Sequence, residues 1–207
     1  MSKTDFSKLY KSYYTAAGEP ELVTFGPVVY ISIAGKGDPS LPEFAHRVQA
    51  LYTVAYTIKF SYKAAGDDFV VPRLEGLWWY DERKYAEATI STAPRLIPRE
   101  AWEYLLLLRM PDSITPEKLQ AGIASAVEKK DLALLTEVQL HRMEEGKCVQ
   151  MLHKGPFDQE PATLARIQEF TRAHNLQRNG FHHEIYLSDF RRTAPERLRT
   201  ILREPVQ

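Results

Sequence analysis

Only one cysteine, Cys148, stands in a chain of 207 residues. A lone thiol excludes an internal disulfide and any metal site built from several cysteines, and it fits a reducing compartment. In an extended segment it reads as a small core side chain. Neither sign of charge is in excess: 27 Lys and Arg face 27 Asp and Glu, so no overall field favours nucleic acid or an anionic membrane. Ligand recognition must then be local. No stretch has the apolar length that crosses a bilayer, and residues 1–14 are polar and aromatic rather than a signal sequence, so the expectation is a cytoplasmic protein. Residues 1–21 scatter Tyr and Lys without a sustained helical period and are too few for a helix-turn-helix, so no DNA-reading module is expected there.

What is present is ordinary globular material, 44% hydrophobic and 26% charged, enough for one large core or two small ones. Residues 23–34 are rich in Val, Ile and Phe and end in Gly35-Lys36-Gly37-Asp38-Pro39, a strand and then a turn. Ser40-Leu41-Pro42-Glu43 has capping-box spacing, and Phe44, Val48, Leu51 and Ala55 predict a helix to about Ile58. Residues 69–72 and 74–80 read as extended, with Trp78 and Trp79 facing opposite sides; 83–98 reads as a loop or hairpin arm, and 101–110 as a strand buried on both faces.

Thr115-Pro116 starts a second helix carrying Leu119, Ile123 and Val127. Residues 132–143 and 147–152 flank Glu144-Glu145-Gly146 as a hairpin, and Leu164, Ile167 and Phe170 mark a third helix. A strand at 180–190, a turn at 193–196 and a last strand follow.

The strand at 180–190 puts a carboxylate where a buried segment is expected. Alternation places Phe181, His183, Ile185 and Leu187 on one face and His182, Glu184, Tyr186 and Ser188 on the other. Charged groups are seldom buried without a partner or a task, so Glu184 is either paired with a neighbouring Arg or Lys or sits in a functional cleft. Tyr186 and His182 share its face; for each, an ordinary strand residue is the competing reading. His182, His183 and Glu184 are contiguous, so their side chains diverge, the helical spacing of a zinc site is absent, and no metal is expected. Trp79, Trp102 and Tyr104 are the aromatic candidates for cleft walls, against simple core packing. Arg191, Arg192, Arg197, Arg199 and Arg203, interspersed with acids, read as a solvated or ion-paired edge.

The two halves share one order: an extended segment, a Lys-Gly break, a helix, then two extended segments. Leu107-Leu108-Arg109-Met110-Pro111 also matches Ile201-Leu202-Arg203-Glu204-Pro205 at the end of both halves. The expected fold is α+β, one domain over residues 1–207. Its two strand-helix-strand-strand units, about 22–130 with a connecting helix and about 131–207, have antiparallel sheets enclosing a central cleft.

Residues 180–189, Pro195-Glu196-Arg197-Leu198-Arg199 and His153-Lys154-Gly155-Pro156-Phe157 resemble the gyrase-inhibitor-like (GyrI-like) family, in its stand-alone branch. The resemblance implies a duplicated fold whose cleft binds amphipathic, often cationic aromatic small molecules around a glutamate that matches Glu184. It implies no cofactor. Some stand-alone members open the cyclopropane ring of DNA-alkylating natural products. On that pattern Glu184 would activate water, Tyr186 or Tyr104 would stabilise charge on a conjugated carbonyl, and Trp79, Trp102 and His182 would contact the ligand. The alternatives are a protein that sequesters drugs unaltered and, ranked lower, one that binds gyrase.

Overall fold

A computed structural model describes residues 3–207. Six strands, β1 (Glu21–Lys36), β2 (Glu75–Trp79), β3 (Glu103–Arg109), β4 (Gln139–Lys154), β5 (His182–Tyr186) and β6 (Arg199–Pro205), pair antiparallel and close in the order β1-β3-β2-β5-β6-β4. Helices α1 (Phe6–Leu9), α2 (Pro42–Ala64), α3 (Ala93–Leu96), α4 (Pro116–Lys129) and α5 (Glu160–Ala173) complete the chain. The order strand, long helix, strand, strand occurs twice, and in each case the third strand lies between the other two. The two groups of strands meet at both edges, along β1–β4 and β2–β5, so the sheet is one closed barrel with no free edge. The Leu107 and Ile201 stretches fall on β3 and β6, the two middle strands.

Two local signals give way to tertiary pairing. The hairpin expected at Glu144-Glu145-Gly146 does not form: β4 runs straight through it, with Gly146 at φ 65° opposite Phe25. The ladder between β1 and β4, from Glu21 opposite Gln150 to Ser32 opposite Gln139, outweighs a turn preference, and residues 133–137 become a 3-10 turn instead of a hairpin arm. The capping box at Ser40 is also unmade, because Asp38 Oδ1 accepts from the Ser40 N–H at 2.8 Å, leaving Leu41 as the N-cap of α2. That helix continues past Ile58 to Ala64, burying Lys59, whose Nζ reaches Asp68 at 2.5 Å, and Tyr62. The Thr115 cap of α4 forms as its sequence predicts, with Oγ1 accepting from Lys118 N at 3.3 Å.

One face of the barrel carries the long helices: Phe44 of α2 packs on Trp78 and Tyr104, and Leu164 and Ile167 of α5 cluster with Val149, Met151 and Leu202. The other face buries charge. Glu75 on β2 accepts from the hydroxyls of Tyr13 and Tyr14 (2.6 and 3.3 Å) and lies 3.1 Å from His183 Nε2. His183 Nδ1 is 2.8 Å from Glu145, which also meets Arg203 at 2.8 Å; Arg203 donates further to Gln150 and to the Tyr13 carbonyl. Arg203 is therefore ion-paired, as one of the two readings of the arginine cluster had it, but fully buried rather than at an edge. Alternation along β6 turns it inward, a direction that linear clustering of arginines conceals.

This cluster gives stability a pH window. Burial disfavours a charged Glu145, yet His183 and Arg203 prevail and hold it down at about 2, from an ordinary 4.5. Burial likewise opposes charge on His183, and Glu145 raises it above its ordinary 6.5. The Glu145 contribution is present above about pH 4.5 and is lost toward pH 2; the His183 contribution is present below about 6.5 and is lost as pH rises through its raised value. Urea unfolding midpoints are expected to be highest between these limits and to fall on both sides.

Candidate functional site

His182, Glu184 and Tyr186 leave β5 on the helix-bearing face because they alternate with the buried His183 and Ile185. Pairing with β2 sets Trp78 opposite His182 and Gly76 opposite Glu184. The missing side chain at Gly76 matters, since a Cβ there would lie 2.9 Å from Trp78 Nε1 and 3.2 Å from the Tyr186 hydroxyl. The indole N–H can thus donate to the Tyr186 oxygen at 3.0 Å, while the phenol proton is directed toward Glu184. On the other side, Leu202 of β6 is opposite Glu184, and Glu204 follows on the same face.

These side chains line a cavity of about 600 Å³. Its walls include Trp78, Trp102, Phe157 and Phe190, its polar lining Glu160, Glu184, Glu204, His182 and Tyr186. The segment between β2 and β3 supplies further lining through Ile90, Ala93, Pro94, Arg95 and Arg99, and is tied to α5 where Ser91 N and Oγ donate to Gln168 Oε1. A larger cavity of about 1120 Å³ lies along α2 and α4, with Tyr52, Tyr56, Phe60 and three lysines but no carboxylate. The smaller one holds the acid-base groups and is the candidate site.

Its charges are unevenly matched. His182 Nδ1 is 2.5 Å from Glu204 and Nε2 is 3.3 Å from Glu184. Burial disfavours the imidazolium, but Glu204 and then Glu184 outweigh it and raise His182 to about 10, so it is a cation at neutral pH. Burial, with the Glu184 charge added, pushes the Tyr186 phenol well above its ordinary value. Glu160, the first residue of α5, is buried, and its Oε1 has no hydrogen-bond partner. Burial and then Glu184 push its carboxyl well above the usual carboxylate range. The His182 charge and the helix N-terminus pull the other way, but burial outweighs them and favours the neutral acid. The site thus offers three glutamate carboxyls, a phenol and an imidazolium among aromatic rings. Among the described residues, no group of three or more His, Cys, Asp and Glu is disposed to hold a metal ion.

Of the sequence candidates, Glu184, Tyr186, His182 and Trp102 come together at this cavity. Trp79 and Tyr104 do not line it. Trp79 stacks on Phe181 at 4.7 Å and donates to Glu103. Tyr104 lies over its cross-strand partner Gly35, where a Cβ would fall 2.3 Å from the ring. Gly35→Ala is therefore expected to cost about 1–3 kcal/mol, read as a lower urea midpoint, with the strain passed through the Tyr104 ring to Trp78, 5.1 Å away between centroids. Trp78, Phe157, Phe190, Glu160 and Glu204 are among the lining residues missed. Glu160 did leave a trace: it stands four and seven residues before Leu164 and Ile167, an acid at the head of an apolar helical stripe.

Comparison with known proteins adds a family and a fold. The family model described as a GyrI-like small molecule binding domain matches residues 104–207. An uncharacterized conserved protein from Listeria innocua is similar at 40% identity and TM-score 0.88, covering 99% of this chain and 100% of that one. A hydrolase from Listeria innocua is similar at 39% identity and TM-score 0.84, with the same coverage. The EcmrR C-terminal domain, 10% identical with TM-score 0.55 over 91% of this chain and 97% of that one, shares the fold alone. No curated protein matches.

Proposed function

The chain belongs to the GyrI-like family of small-molecule-binding domains, and from that premise we propose that it hydrolyses the cyclopropane ring of reactive, DNA-alkylating aromatic compounds. The observation that carries the proposal is the Glu184 carboxylate set beside aromatic walls in a cavity of about 600 Å³, a size suited to a drug-like molecule. The Listeria hydrolase of the same fold supports chemistry that adds water, without indicating the substrate.

In this scheme Trp78 and Trp102 hold a flat ring system. Glu184 takes a proton from a water that attacks the strained ring carbon, and the ring bond breaks toward a conjugated carbonyl. Tyr186 donates a hydrogen bond to the oxygen that gains charge. His182, gripped by Glu204, keeps Glu184 oriented. Tyr104 and Trp79, packed elsewhere, have no part in it. The reaction takes place in the cytoplasm and needs no cofactor.

Incubating the protein with a cyclopropane-containing alkylator and weighing the products by mass spectrometry tests the reading. Gain of one water, at a rate proportional to protein, supports catalysis. Recovery of unaltered compound in the bound fraction would make the protein a sequestering one instead.

A further inference from the structure

Glu160 has no role in the scheme above, yet it lines the same cavity with a buried, unpartnered carboxyl oxygen. We propose that Glu160 is a second catalytic carboxyl, the acid to the Glu184 base, which hands a proton to the carbonyl oxygen of the ligand and so makes the cleft select molecules presenting such an acceptor. The catalytic half of this inference rests on the hydrolytic reading; the selection of a carbonyl does not.

The argument is one of missing counter-charge. β5 turns Glu184, His182 and Tyr186 toward the cavity, and β6 turns Glu204. His182 is shared between Glu204 and Glu184. Asp158 comes from the turn before α5 and adds another acid. Arg178 is occupied by Glu82 at 2.7 Å and reaches Glu204 at 3.9 Å. Tyr80, Arg95 and Arg99 come from the segment between β2 and β3, and Arg99 is held by Asp38 at 3.3 Å. None of the recorded ion pairs includes Glu160, and the pull of His182 on it is weaker than the opposing effects of burial and Glu184, so its surroundings favour the neutral form. A neutral acid is a donor, and Oε1 finds nothing to bond to in the protein. A ligand carbonyl completes it. Two carboxyls of one cleft that sit in different surroundings, Glu184 beside His182 and Glu160 without a bonded partner, can divide into base and acid.

The step balances. The water oxygen bonds to the ring carbon while its proton passes to Glu184. The cyclopropane carbon–carbon bond breaks, and its electron pair moves through the conjugated system to the carbonyl oxygen, which takes the proton of Glu160. The product is a phenol bearing a hydroxyalkyl arm, a net gain of one water. Solvent then carries a proton from Glu184 back to Glu160.

Two probes test it. The first is a cyclopropane spiro-fused to a cyclohexadienone, followed by its absorbance. Wild-type kcat is expected to fall at high pH as Glu160 loses its proton. Glu160→Gln is expected to lower kcat about 10²–10⁴-fold, with KM little changed and the alkaline fall gone. The second is a gem-dimethyl cyclohexadienone, which has no strained ring to open, observed bound by infrared difference. Its carbonyl stretch is expected to be red-shifted in wild type and in Glu184→Gln, and to lose a large part of that shift in Glu160→Met, which removes the Glu160 donor and leaves only the bond from Tyr186. Wild-type turnover in Glu160→Gln, or an unchanged stretch in Glu160→Met, overturns the inference. If the spiro compound is never opened while the stretch depends on Glu160, the hydrolytic reading falls and the carbonyl donor stands.

Discussion

Glu184→Gln is expected to lower the rate of ring opening by about 10²–10⁴-fold, the usual worth of a general base, while the ligand still binds. The amide keeps the shape of the carboxylate and still accepts from His182 Nε2, which sits 3.3 Å away, so the lining of the cavity survives. The amide oxygen is a far weaker base and cannot take the proton of an attacking water. Binding rests chiefly on Trp78, Trp102 and the other rings, which the substitution does not touch. Quenching of tryptophan fluorescence gives the affinity, and loss of dienone absorbance gives the rate. Turnover in Glu184→Gln at the wild-type rate would remove Glu184 from the chemistry; loss of binding and rate together would make it a binding group alone.

Arg203→Met is expected to destabilise the protein by about 3–5 kcal/mol, the cost of breaking a buried ion pair by deleting one member. Its guanidinium is fully buried and serves three acceptors at once: Glu145 at 2.8 Å, Gln150 at 3.1 and 3.0 Å, and the Tyr13 carbonyl at 2.9 Å. Methionine fills much of the volume but leaves all three without that donor. Such a loss is a large part of a domain's total stability, and in a chain of this length it lowers Tm by about 6–20 °C. Arg199, exposed at the start of the same strand, is the control, expected to change stability by less than about 0.5 kcal/mol when replaced. Calorimetry on the two variants decides; equal, small effects would mean that Arg203 is not the keystone of the cluster.

Sequence pattern located much of this architecture where a signal was local. Alternation along residues 180–190 put Glu184 and Tyr186 on one face, and the Thr115-Pro116 cap started α4 at the right residue. What escaped depends on partners distant in the chain. Adjacent strand tryptophans must face opposite sides, but only the register that sets Trp78 against His182 decides which of them meets the cleft. Gly146 looks like a turn until the long β1 partner is there to pair with β4. Tyr13 and Tyr14 show no period at all, since their places are fixed by hydroxyl bonds to Glu75 rather than by a repeating apolar stripe. Glu160 left only the trace of an acid heading an apolar helical stripe, for the converse reason: what sets it apart is a partner it lacks.

The seating of the amino-terminal arm bears on how the chain is made. Arg203 donates to the carbonyl of Tyr13 across 190 residues, and Glu75 meets His183 across 108. During synthesis β1, β3 and β2 emerge first and can pair with one another, while the outer edges of β1 and β2 stay open until β4 and β5 arrive. Long-range closure of this kind is slow and leaves strand edges exposed to other chains. The arm before β1 can seat early on Glu75 through Tyr13 and Tyr14, but its bond to Arg203 waits for β6, and until the barrel closes the open edges of β1 and β2 need shielding.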